Sequence, residues 1–131
     1  MNLPTSHVGG THDQIAVQLY AGATGVLMLA FHPEETLRFV SRYKVTILGE
    51  VPTMFRLIFQ HCKIEEHDVS SLRLIFLGGE PSPMELIARA NKNFPNATVV
   101  AGWGKTETAG FFTFTELTDE PSRNRLKWER C

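Results

Sequence analysis

Cysteine is scarce: Cys62 and Cys131 are the only two in 131 residues, with no C-x-x-C pair. That excludes a multi-bridge disulfide scaffold and a cysteine-rich zinc site, and it suits a reducing, cytoplasmic setting. An excess of positive charge is also missing. Thirteen Lys and Arg stand against fourteen Asp and Glu, for a formal net charge of -1. The basic residues are scattered except near the carboxyl terminus, so neither nucleic acid nor an anionic membrane is an implied partner. Long apolar runs are absent as well. The longest, "VLMLAF" at 26–31, is far short of the roughly 20 residues a membrane-spanning helix needs, and "MNLPTSHVGG" has neither the basic start nor the apolar stretch of a signal peptide. There is no internal repeat and no low-complexity tract. The five histidines (7, 12, 32, 61 and 67) form no H-E-x-x-H and no Cys/His quartet, so no zinc site is expected. No G-x-G-x-x-G follows the first strand-like run, which makes a dinucleotide oxidoreductase a poor fit.

What is present is an alternation of short β-branched runs with amphipathic ones. "DQIAVQLYAG" reads as a helix ending at Gly22, and "TGVLMLA" as a buried strand. Next comes a helix opened by Pro33 and two glutamates, with Leu37 and Val40 on its inner stripe. "KVTILGE" is a strand, "PTMFRLIFQHC" a helix starting at Pro52, "LRLIFLGG" a strand and "SPMELIARANKNF" a helix stopped by Pro95. "ATVVAG" is a further strand and "FFTFTEL" one more. Apolar strands separated by single helices predict an α/β fold: a parallel sheet flanked by helices on both faces. Residues 1–131 are expected to form a single unit, with 118–131 as an irregular tail.

In such sheets ligands sit at the carboxyl ends of the strands. Three strands end in similar segments: "GEVPT" at 49–53, "GGEPSP" at 78–83 and "GWGKTETAG" at 102–110. Each joins glycine to glutamate. Taken singly, each is equally readable as turn chemistry, with glycine supplying positive φ and proline opening a helix. If the strands are parallel, all three emerge on one edge, and that edge is the candidate site.

These motifs resemble the adenylate-forming (AMP-binding) acyl-CoA synthetases. "GGEPSP" followed some twenty residues later by "GWGKTETAG", preceded by "VTILGEVPTMF" and "DVSSLRLIFLGG", is similar to the large amino-terminal domain of those enzymes, and "LPTSHVGG" with "LYAGATGVLM" is similar to an earlier stretch of it. The resemblance covers roughly residues 2–125, in the family's order. It implies activation of a carboxylic acid with ATP to an acyl-adenylate, then acyl transfer to coenzyme A. Carried over residue by residue, it makes Glu107 the magnesium carboxylate and Thr106 the hydroxyl on the nucleotide phosphate. Trp103, between Gly102 and Gly104, takes the place of an aromatic against adenine, where the family usually has tyrosine; core packing is the alternative for it. Gly79, Glu80 and Pro81 match the adenine-side loop. His7 matches a histidine near the acyl carboxylate, with Val8, Gly9, Val51, Pro52, Ala109 and Gly110 beside the acyl group. Lys105 fills the variable place of its motif and reads as surface.

The chain also departs from the family. It lacks the Ser/Thr/Gly-rich phosphate loop ending in Pro-Lys, the ribose-binding aspartate and the small carboxy-terminal domain with its lysine. It therefore reads as a piece of a larger ligase, inactive alone and expected to self-associate through uncovered apolar surface. A non-catalytic nucleotide-binding module and an interaction domain stay open as other readings. Small, aryl and long-chain acids are all compatible with these motifs.

Overall fold

A computed structural model describes residues 3–116. The tail expected at 118–131 lies outside the described residues. The chain opens with π-helical turns over Gly9–Ala16, which run into α1 (Val17–Ala21) and end at Gly22. There follow α2 (Pro33–Tyr43), β1 (Ile47–Glu50), α3 (Pro52–His61), β2 (Leu74–Leu77), α4 (Met84–Asn93), β3 (Thr98–Lys105) and β4 (Gly110–Phe114). α2 and α3 each begin on a proline, whose missing N–H costs nothing in a first turn. Glu34 and Glu35 in the first turn of α2 complement its dipole.

The four strands form one sheet in the order β1-β2-β3-β4. β1 pairs with β2, and β2 with β3, in parallel, with Leu48 opposite Ile75 and Ile75 opposite Val99. This is the parallel core that the alternation of strands and helices predicts. β4 departs from it, pairing antiparallel with the far end of β3, Gly102 opposite Phe114. The reason is connection length. Only a short turn separates β3 from β4, and a parallel return needs a dozen or more residues.

Leu48, Ile75, Leu77 and Val99 point to one face. There they share a core with Leu37 and Val40 of α2, Phe55, Ile58 and Phe59 of α3, and Leu86, Ile87 and Ala90 of α4, closed by Phe94. α2, α3 and α4 all contribute to this one core, because strands added side by side with crossovers of one hand put every crossover on the same side. The opposite face carries an aromatic cluster, with Phe76 at 4.7 Å from Phe111 and 5.6 Å from Phe114 between ring centroids. The amino-terminal helical segment lies beside β4.

The strand expected at 24–30 does not form. Those residues belong to no helix or strand, and Leu27 and Leu29 are 63% and 105% exposed. Apolar β-formers make a strand only where a partner backbone accepts their hydrogen bonds, and among the described residues no strand pairs with them. No helix among the described residues is long and apolar enough to cross a membrane.

The Phe55, Phe59 and Phe94 rings pack within 6.4 Å of one another beneath the sheet. Phe55 is fully buried, so Phe55→Ala should lose about 3–5 kcal/mol of unfolding free energy in urea titrations of the chain. Ile47→Ala, at a position 51% exposed, should lose less than about 1 kcal/mol. Equal losses would place the core elsewhere.

Candidate functional site

Parallel pairing puts the carboxyl ends of β1, β2 and β3 on one edge. At the end of β1, Glu50 is buried, Val51 is extended, and Pro52 starts α3. One residue on, the Thr53 hydroxyl donates to Glu80 Oε2 at 2.7 Å. This bond ties the first loop to the second. Gly79 holds φ +82°, a left-handed conformation that side chains resist, and a Cβ there would come within 3.3 Å of Val51 Cγ1. Pro81 is exposed beyond it. Val51, Pro52, Gly79, Glu80 and Pro81 thus belong to one pair of linked loops.

The third segment differs from the expected loop. Its first four residues, Gly102, Trp103, Gly104 and Lys105, continue β3 and pair with β4, with a register shift between Trp103 and Gly104. Only Thr106–Thr108 form the turn, a single 3-10 turn. The Thr108 hydroxyl accepts the Lys105 N–H at 3.3 Å and lies 2.9 Å from Lys105 O, which closes it. Ala109 follows at φ 57° and Gly110 at φ 115°. Thr106 and Glu107 are left exposed at the tip, with Lys105 exposed beside them. Trp103 is 42% exposed and meets Phe112 edge-on at 4.8 Å. It is therefore a partly open aromatic surface rather than a core residue.

His7 is exposed in the turn that precedes the π-helical segment. Its Nδ1 accepts the Gly9 N–H at 3.0 Å, and its carbonyl accepts the N–H groups of Gly10 at 3.0 Å and Thr11 at 3.1 Å. With Nδ1 engaged, a neutral imidazole carries its proton on Nε2. Val8 is half-buried, and Gly9 is buried against the His7 ring.

Two residues that motif reading passes over join this segment to the edge. Asp13 Oδ1 accepts the Phe111 N–H at 3.4 Å, 98 residues away in sequence. Burial pushes the Asp13 carboxyl above its ordinary range, while the Phe111 N–H and the charges of His12 and His7 pull it back. Gln14 Nε2 donates to the Gly49 carbonyl at 3.1 Å, and its Oε1 accepts the Leu3 N–H at 3.4 Å. No local signal marks either residue. Each is one polar side chain within an amphipathic run, and its partner is far away in the sequence.

A family model described as "AMP-binding enzyme" matches residues 1–127. The chain belongs to this family. Among curated AMP-binding relatives, 4-coumarate–CoA ligase 5 of Oryza sativa subsp. japonica is 33% identical over 105 residues, which is 80% of this chain and 20% of that protein. Among solved structures, the N-terminal domain of FACL13 from Mycobacterium tuberculosis superposes with a TM-score of 0.84 at 27% identity, over 95% of this chain and 31% of that one. The anthranilate CoA ligase AuaEII, solved with anthranoyl-AMP, superposes with a TM-score of 0.82 at 26% identity, over 88% of this chain and 23% of that one. The chain thus spans about a fifth of the length of the curated relative and under a third of either structure. The acyl-CoA synthetase resemblance and the α/β fold read from the sequence both hold for this chain.

Proposed function

We propose that the chain forms the nucleotide- and acid-facing edge of an AMP-forming acid–CoA ligase. That enzyme would activate a carboxylic acid with ATP to an acyl-adenylate and pyrophosphate, then pass the acyl group to the thiol of coenzyme A. The observation that carries this reading is convergence. The Gly79–Pro81 loop tied down through Thr53 stands at the carboxyl edge of one parallel sheet, the turn bearing exposed Thr106 and Glu107 lies just past that edge, and the helical segment behind His7 is bonded to both through Gln14 and Asp13. Open α/β sheets bind ligands at that edge.

In this reading the open face of Trp103 stacks on adenine. Gly79, Glu80 and Pro81 flank the base, Gly79 because its backbone leaves room for close approach. The Thr106 hydroxyl bonds a phosphate oxygen. Val8, Gly9, Val51, Pro52, Ala109 and Gly110 border the acid, and the His7 Nε2 proton is the donor available to its carboxylate.

Magnesium suits the residues at hand. It takes one or two carboxylates and completes its shell with water and phosphate oxygens, so an exposed Glu107 beside the Thr106 hydroxyl is a sufficient protein contribution. Among the described residues no cluster of three acidic, histidine or cysteine side chains is assembled, and such a site needs none. When bound, the ion would offset charge building on the α-phosphate as the carboxylate attacks.

Alone, the 131 residues are proposed to bind AMP or ATP weakly without catalysing adenylation. The reaction needs its charge held at once by metal, phosphate-loop amides and a lysine, and no Ser/Thr/Gly-rich loop ending in Pro-Lys occurs in these 131 residues. The decisive experiment uses the enzyme that contains this chain. Glu107→Gln should lower carboxylate-dependent ATP–pyrophosphate exchange by orders of magnitude, because lost charge stabilisation of this kind costs about 3–4 kcal/mol or more. Wild-type exchange in that variant would remove Glu107 from the metal site.

The isolated chain is further proposed to self-associate, on the ground that Val17, Leu19, Tyr20, Leu27 and Leu29 are all exposed. Sedimentation velocity over rising concentration should show growing weight-average mass, and a constant monomer would contradict it.

A further inference from the structure

We propose that Asp13 is a positioning residue: with Gln14 it straps the amino-terminal helical segment across the carboxyl edge of the sheet and thereby sets the placement of His7. The strap stands on contacts made by consecutive side chains to opposite ends of the sheet. Asp13 Oδ1 takes the Phe111 N–H at the start of β4, while Gln14 Nε2 reaches the Gly49 carbonyl in β1. Those two strands are the outermost of the four, so the segment bridges the full width of the sheet.

The local helix geometry makes this possible. Successive residues of an α-helix diverge by about 100°, which would turn one of two neighbours away from a flat partner. The π-helical turns over Gly9–Ala16 are wider and reduce that divergence to about 80°, so positions 13 and 14 can both reach the sheet. Gly110 supplies the complementary space. A Cβ at that position would fall 2.3 Å from Asp13 Oδ1, so the carboxylate occupies the place a side chain would otherwise take. The amino-terminal side is tied as well, because Gln14 Oε1 accepts the Leu3 N–H and His7 caps the same helical segment through its ring and carbonyl. The raised Asp13 carboxyl agrees with a half-buried group held against the sheet. A displaced Asp13 would release Phe111, loosen the helical segment from β4, and shift His7 relative to the acid.

The strap depends on these contacts alone; its effect on the acid rests on the ligase reading, and the two are tested separately. For the strap, amide hydrogen exchange is followed in the full chain. Asp13→Ala should speed exchange at Phe111 and across residues 9–16 by about tenfold or more, the scale of a lost bond to a charged acceptor. The Ile75 and Leu77 amides should be unchanged. Asp13→Asn, which keeps an acceptor oxygen, should restore most of the protection. Exchange at Phe111 within about twofold of wild type, or equal acceleration at Ile75 and Leu77, overturns the strap. If Asp13→Ala does not fold, Gln14→Ala decides: the strap requires faster exchange over residues 9–16, and unchanged exchange there overturns it.

For the site, the enzyme containing this chain should show a KM for its carboxylic acid raised about tenfold by Asp13→Ala, with the KM for ATP unmoved and Asp13→Asn near wild type. Equal rises in both constants overturn the positioning role. Absence of pyrophosphate exchange in the wild-type enzyme would sink the ligase reading and leave the strap to be judged on exchange alone.

Discussion

Parallel pairing of β1, β2 and β3 is the constraint on which the rest depends. Because Leu48, Ile75 and Val99 stand side by side in register, the three strands start on one edge and finish on the other. Every segment that carries chemistry-bearing residues at a strand exit is therefore delivered to the same place. The same pairing sorts the side chains, sending Leu48, Ile75, Leu77 and Val99 into the core under α2, α3 and α4 and leaving Phe76 and Val100 on the other face. A one-residue slip in any of these strands would reverse both assignments.

The antiparallel β3–β4 hairpin adds what parallel strands alone lack. It carries the polypeptide past the edge before turning, so Thr106 and Glu107 stand at a tip braced by the Thr108 hydroxyl rather than in a loose loop. Its other end is anchored by Thr115, whose hydroxyl accepts the Ala101 N–H at 3.0 Å. Gly102 and Gly104 are tightly placed in this hairpin, where a Cβ would lie 2.5 Å from Phe76 Cζ and 2.2 Å from Gly110 O respectively. Two of the glycines that read as loop markers in "GWGKTETAG" are thus packing requirements within a strand.

Much of the fold was legible because its signals are local. Pro33 and Pro52 mark helix starts, Gly22 a helix end, and the apolar runs at 45–50 and 72–77 lie where strands form. The misreadings share one cause, which is that strand formation is decided by a partner. "TGVLMLA" has the composition of a strand and none beside it, whereas Gly102–Lys105 has the composition of a turn and pairs with β4. The proposed site divides in the same way. Thr106, Glu107, Gly79 and His7 could be picked out by motif, while Asp13, Gln14 and Thr53 act through contacts 27 to 98 residues distant that no local pattern encodes.

Segments far apart in sequence are proposed to make one adenylate-facing edge. The most direct measurement is an AMP titration of the isotope-labelled chain followed by backbone amide chemical shifts. Shifts should concentrate in residues 49–53, 78–83 and 102–110, with weaker changes over 7–14 transmitted through the contact between Asp13 and Phe111. Shifts centred instead on the outer surfaces of α2, α3 and α4, or no shift at millimolar AMP, would contradict it.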